Sequence, residues 1–249
     1  MYDPKWYEPY ITCWRNEEPS RFASALAQTL PVEPHVTRLL DIGCGSGIQG
    51  IYSLIEKHAR SVTFMDKERV WLNVARCNVE IKIRAGAIQS GQARFLEPSD
   101  LSEISDEEIA QHDLLVFNPP QLPYAFLDDA SRAAIDNDPI ERSFRRGGET
   151  GLELAEKFLG WYAGLPSDRP DAVILLSSFL GKSNIEALIA SLGIRLRREP
   201  IATEAPLRSF LWEAAERFSR SATEVANRRI SKVGDQWRKE LLTYHLAGA

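Results

Sequence analysis

Four glycines, two acids and a proline corner carry most of the chemistry this sequence offers. In "LLDIGCGSGIQG", Gly43, Gly45, Gly47 and Gly50 stand between a strand-like run and a helix-like run. Glycines at such a junction let the backbone approach a ligand, and a helix N-terminus presents free N–H groups. Asp66 closes the next apolar run, 21 residues after Gly45. A carboxylate there can accept hydrogen bonds from both hydroxyls of a ribose. Together these residues describe a nucleoside-binding half-fold. Farther along, "DLLVF" runs into Asn118-Pro119-Pro120-Gln121-Leu122-Pro123. Proline cannot donate to a sheet ladder, so the strand must stop there. It stops at a rigid corner that carries one asparagine amide.

Two ligand classes compete for the glycine turn. Gly45-Ser46-Gly47-Ile48-Gln49-Gly50 spells G-x-G-x-x-G, the dinucleotide fingerprint of nicotinamide enzymes. Against that reading, Asp41 is poorly matched to an anionic pyrophosphate and suits a cation, an ammonium or a sulfonium. The strand also ends at Ile42, two residues too early for Gly45 to be the first glycine of that fingerprint. A tight strand-to-helix turn would also use glycines, but it would not explain the spacing to Asp66.

Positioning these residues requires alternating strands and helices, and the chain supplies them. Buried-strand runs fall at 38–44, 61–66, 91–97, 113–118 and 172–179. Helical spacing follows the first at Ile48, Ile51, Leu54 and Ile55, and the second at Val70, Val74 and Cys77. It recurs at Leu152, Ala155, Phe158 and Leu159, and in "NIEALIASLG", which Gly193 ends. This alternation predicts a doubly wound α/β domain with a mostly parallel sheet covered on both faces. Residues 1–37 form an aromatic, helical segment expected to cover the substrate pocket, and 38–249 form the main domain. Within the latter, 121–148 reads as a loop insertion and 206–231 as one helix, with Leu207, Leu211, Ala214 and Phe218 on one face. The final "ELLTYHLA" reads as an edge strand.

The 249 residues are 44% hydrophobic and 26% charged, as in ordinary globular proteins. A net charge of −5 gives no global basic field, which argues against a nucleic-acid partner. Cys13, Cys44 and Cys77 lack metal-ligand or disulfide spacing and read as reduced thiols, so a cytoplasmic setting and no metal are expected. The start "MYDPKWYEPY" does not read as a signal peptide, and no apolar run approaches the roughly 20 residues that span a bilayer. The sequence leaves the oligomeric state open.

"LLDIGCGSG", "FMD" and "LLVFNPP", at three successive strand ends, together resemble the class I S-adenosylmethionine-dependent methyltransferases, over roughly residues 38 to 195. The resemblance implies a seven-stranded, Rossmann-like sheet, S-adenosylmethionine as cofactor and S-adenosylhomocysteine as product. It assigns Asp41, Gly43 and Gly45 to the methionine part and Asp66 to the ribose, with Gly47 and Lys67 as further cofactor-binding residues. For the adenine it leaves Glu97, Ser99 and Asp100 in competition, with Asp100 preferred.

On that resemblance, Asn118, Pro119 and Pro120 are the catalytic corner, and Asn118 is also cofactor-binding, its side chain expected to face the sulfonium. Methyl transfer is an in-line displacement that needs a positioned lone pair more than proton chemistry. The Asn118 amide oxygen and a corner carbonyl are acceptors that can grip an N–H₂ group and favour charge growing on its nitrogen. With "GGETGLEL" (Gly147, Gly148, Gly151) downstream, the chain looks like the N-P-P branch, which contains protein-glutamine N-methyltransferases and some ribosomal RNA guanine methyltransferases. That branch generally has an aromatic residue after N-P-P, and this chain has Gln121. The change removes a stacking face and points to a small amino-acid-like metabolite, peptide or protein side chain as acceptor, with RNA or a ribosomal or release-factor protein as the alternative. Between Gln121 and the glycines lies a long loop of mixed charge, too long to be idle. Arg145 and Arg146 there are candidates for a substrate carboxylate. Tyr7, Tyr10, Trp14 and Tyr124 are candidates for the pocket wall. His112 and His245 have no triad or metal context and read as structural.

Overall fold

The computed structural model describes residues 36–138, 142, 147–207 and 211–248. Strands and helices alternate as the periodicity requires: β1 (Val36–Ile42), α1 (Ile48–Ile55), β2 (Ala59–Met65), α2 (Arg69–Arg84), β3 (Ala93–Leu96), α3 (Asp106–Ile109) and β4 (Leu114–Phe117). There follow α4 (Asp129–Asp136), α5 (Glu153–Ala163), β5 (Asp171–Ser177), α6 (Lys182–Ser191) and β6 (Ile201–Pro206). The chain closes with α7 (Trp212–Phe218), α8 (Ala222–Arg228), β7 (Ser231–Val233) and β8 (Gln236–Leu246). Among the described residues the sheet has eight strands, in the order β3-β2-β1-β4-β5-β8-β6 with β7 paired to β8. Five neighbouring strands are parallel, as expected, and β8 runs antiparallel to β6 and β7. The described residues divide into two compact units, one within 36–118, 166–174 and 245–248, the other within 119–165 and 175–244.

In the first unit the strand order reverses between β1 and β4, the switch point where ligands of open α/β sheets bind. β4 is buried throughout, so its near-continuous apolar run is that of a strand covered on both faces. Gly50, the last glycine of the G-x-G-x-x-G string, serves packing. A Cβ there would lie 2.5 Å from the Phe64 ring and 2.7 Å from Val62, so only glycine lets α1 lie this close to β2. The buried face of α2 is Trp71, Leu72, Val74, Ala75, Asn78 and Val79. This corrects the expected face: Cys77 is exposed, because the helix is rotated to bury Trp71 and to let Asn78 donate to the Ser46 carbonyl at 2.8 Å.

In the second unit, Leu122, Tyr124, Leu127, Ile135, Phe179 and Leu207 share a hydrophobic cluster with α7 and Trp237. The expected single helix over 206–231 is two helices. Pro206 still belongs to β6, and the Ser221 hydroxyl caps a new start by accepting from the Glu224 N–H. Nor is β8 an edge strand. β6 takes the edge, and Leu241, Leu242 and Thr243 of β8 are almost fully buried. The segment expected as a loop insertion contains a 3₁₀ turn (Tyr124–Phe126) and α4, and its two ends pair: Gly147 N–H donates to Leu122 O, Tyr124 N–H to Gly148 O and Ala125 N–H to Glu149 O.

Candidate active site

Strand register decides which residues of the first unit share a level. Leu96, Met65, Ile42 and Phe117 are consecutive partners across β3, β2, β1 and β4. The residues that follow them are Glu97, Asp66, Gly43 and Asn118. The acid, the glycine turn and the asparagine picked out from sequence therefore leave the sheet side by side at its carboxyl edge.

The turn can be built only from glycine. Gly43, Gly45 and Gly47 have φ of 60°, 54° and 78°, a region that side chains with a Cβ rarely adopt. Gly47 is the N-cap of α1. A Cβ on Gly43 would also touch the Phe117 ring at 3.4 Å. The strand ends at Ile42, so the turn lacks the strand-to-glycine spacing of a nicotinamide fingerprint.

Both acids are buried and tied to this turn. Asp66, 8% exposed, accepts from Gly45 N–H at 3.0 Å through one oxygen and from Glu68 N–H at 2.9 Å through the other. Burial raises its pKa above the ordinary carboxylate range, and the two main-chain donors oppose that rise. Asp41, 2% exposed, accepts from Gly50 N–H in the first turn of α1 at 3.0 Å. Burial dominates there: its pKa is pushed up to about 7, with the Gly50 donor lowering it and the nearby Asp66 raising it. The donor set fits S-adenosylmethionine. The glycine cradle leaves room along the main chain, a ribose would find Asp66 oxygens with remaining lone pairs, and a cationic group would favour ionised Asp41.

Other expected positions sort differently. Lys67 is exposed. Asp100 caps the 3₁₀ turn at Leu101–Glu103, accepting from both the N–H and the hydroxyl of Ser102. Glu97, which follows the strand-end row, lies 3.9 Å from Arg69. Asn118 is half-buried. His112 is bonded to Thr63 and the Glu108 carbonyl, and His245 to Asp171. Asn78 was not anticipated as a support for the turn. A polar residue at helical spacing from Trp71 and Ala75 was the available signal.

In the second unit, Gln121 is bound to main chain. Its Nε2 donates to Leu175 O at 3.2 Å and approaches Pro119 O at 3.4 Å, while its Oε1 accepts from Ser177 N–H. The downstream glycines press on the same residue. A Cβ on Gly147 would lie 2.6 Å from Gln121 Cα, and one on Gly151 2.9 Å from Gln121 O. Tyr124 is a core residue, 4% exposed, with its hydroxyl donating to Asp136 at 3.1 Å. Tyr7, Tyr10, Trp14, Arg145 and Arg146 lie outside the described residues. Among the described residues no His, Cys, Asp or Glu cluster could hold a metal ion, and no helix is long and apolar enough to cross a membrane.

Residues 18–126 match the family model described as the methyltransferase small domain. That match agrees with the enzyme class and cofactor expected from the motifs. A protein named ribosomal RNA large subunit methyltransferase G from Streptomyces griseus is 28% identical over 120 residues, 48% of this chain and 29% of that protein. One of the same name from Pseudoalteromonas translucida is 30% identical over 91 residues, 36% of this chain and 22% of that protein. The chain thus spans less than a third of the length of either relative it matches. The crystal structure of the YcgJ protein from Bacillus subtilis shares the fold, with a TM-score of 0.50 at 13% identity over 91% of this chain and 98% of that one.

Proposed function

We propose that this protein is an N-methyltransferase of the N-P-P kind whose acceptor is a base nitrogen of RNA, with ribosomal RNA the leading class. The observation that carries the transfer chemistry is the register Ile42↔Phe117, which starts the glycine turn and Asn118 at the same level on neighbouring strands. S-adenosylmethionine, when bound, supplies an electrophilic methyl group on a sulfonium. What the chain contributes is placement. Gly43, Gly45 and Gly47 admit the methionine part, Asp66 takes the ribose hydroxyls, and Asp41 supplies negative charge behind the turn. Asn118 Oδ1 and the Pro119 carbonyl accept hydrogen bonds from an acceptor N–H₂ and turn its lone pair outward. As positive charge grows on that nitrogen, the same two oxygens are preoriented to stabilise it.

The choice of RNA departs from the sequence-based preference for a small amino-acid-like substrate, and two observations support the change. The curated relatives that the chain matches are named for ribosomal RNA. Gln121, the residue that argued for a small polar acceptor, has its amide on the β5 main chain. The net charge of −5 does not oppose this, because phosphate contacts depend on local rather than total charge. Exposed Arg195, Arg197 and Arg198, between α6 and β6, form one such local strip. A cytoplasmic setting agrees with such an acceptor. Labelled S-adenosylmethionine, incubated with the protein and a cell lysate divided into RNA, protein and small-molecule fractions, tests the proposal. Label is expected in RNA at a base nitrogen, and label confined to either other fraction overturns the RNA reading.

A further inference from the structure

We infer that Gln121 is a positioning residue for the transfer reaction: its side-chain amide replaces the ladder rung that Pro119 cannot form, and so fixes the corner carbonyl that faces the acceptor nitrogen. The β4–β5 register ends at Phe117↔Ile174. Counted two residues further on both strands, Pro119 falls opposite Leu176. In a parallel ladder a residue in that position donates its N–H to the carbonyl before its partner and accepts from the N–H after it. Those groups are Leu175 O and Ser177 N–H, and Pro119 has no N–H to give. The Gln121 amide bonds both: Nε2 to Leu175 O at 3.2 Å and Oε1 to Ser177 N–H. An amide side chain has the donor and acceptor of a peptide group, so it can serve as that rung.

The same Nε2 reaches back to Pro119 O at 3.4 Å, so one side chain links the corner carbonyl to β5. The residue is held from the other side as well. Gly147 and Gly151 leave no space for a Cβ against its main chain. This arrangement accounts for glutamine where the resembled branch has an aromatic residue. The position here secures the corner rather than stacking on the acceptor.

The inference rests on the N-transfer reading, and the experiment separates the two. Gln121→Leu, Gln121→Glu and the unaltered protein are compared in whichever lysate fraction the unaltered protein labels, so a wrong acceptor class does not stop the test. Gln121→Leu is expected to lower kcat about 10- to 100-fold with acceptor KM and cofactor Kd within about twofold, the cost of roughly an ångström of misplacement. Exchange of the Ser177 amide hydrogen should accelerate about tenfold or more once its acceptor is gone. In Gln121→Glu the protonated carboxyl restores donor and acceptor together, so its kcat relative to the unaltered protein should rise as pH falls from 8 toward 5. A raised acceptor KM at unchanged kcat would make Gln121 a substrate contact and overturn the inference. So would unchanged Ser177 exchange in Gln121→Leu.

Discussion

The glycine turn after β1 and the proline corner after β4 solve opposite problems. At the turn the backbone has too many free donors. Asp66 and Asp41 take up the N–H groups of Gly45 and Gly50, and glycine at φ of 54° to 78° lets the chain present its remaining surface. At the corner the backbone has too few, because two prolines remove two donors and Gln121 supplies a replacement amide. The first solution recurs wherever a strand must turn sharply under a ligand, so it leaves a spaced motif. The second depends on a partner more than 50 residues away, and no local pattern records it.

The largest expected effect separates the two regions by function. Asn118→Ala should lower turnover about 100- to 1,000-fold while cofactor affinity changes little, since it removes an acceptor that orients the nitrogen and stabilises the charge developing on it. Asp66→Ala should do the reverse, weakening cofactor binding about 10- to 100-fold through the loss of charged hydrogen bonds. Calorimetric titration with S-adenosylhomocysteine, set beside single-turnover rates, measures both. If Asn118→Ala retained full turnover, the nitrogen-gripping role would be wrong. If both variants lost affinity alike, the division of labour would be wrong instead.

The sequence disclosed the cofactor half of the molecule better than the rest, for physical reasons. β1, β2 and β4 are short apolar runs ended by residues with one conformational meaning each, so their ends, and with them Asp66, Gly43 and Asn118, could be placed. The C-terminal third was harder. Leu207, Leu211, Ala214 and Phe218 keep helical spacing, but spacing does not show where a helix stops. Ser221-Ala222-Thr223-Glu224, a Ser with Glu three residues on, is the capping signature that marks the break. The run Leu241-Leu242-Thr243-Tyr244 was read as an edge, although continuous burial on both faces belongs to an interior strand. Tertiary demands also shifted α2 by one position, since Asn78 must reach Ser46.

A smaller effect probes the turn from the side of its charge. Folded Asp41 titrates near 7 and an unfolded aspartate near 4, so the folded ligand-free chain keeps a proton that the unfolded chain releases. That contribution to stability is complete below about pH 4 and is lost as pH rises through about 7, with Asp66 shifted in the same direction. A cationic ligand favours the ionised form, so cofactor affinity should rise about tenfold between pH 6 and pH 8. Asp41→Asn should flatten both dependences, in thermal unfolding and in titration. A wild-type affinity independent of pH across that window would mean that Asp41 does not sense the ligand charge.

The smallest expected effect tests whether the corner's surroundings are scaffold or pocket. Tyr124 follows Gln121 by three residues, is buried in the second unit's cluster, and gives its hydroxyl to Asp136 at 3.1 Å. Its carbonyl accepts from Arg132 Nε at 3.0 Å, so the residue is held at both ends. Tyr124→Phe should therefore lower stability by about 1 kcal/mol, the usual net value of one such hydrogen bond, and leave the acceptor KM unchanged. Chemical denaturation and acceptor titration read the two quantities independently. An acceptor KM raised several-fold at unchanged stability would return Tyr124 to the pocket wall. It would also extend the substrate surface beyond the corner that Gln121 secures.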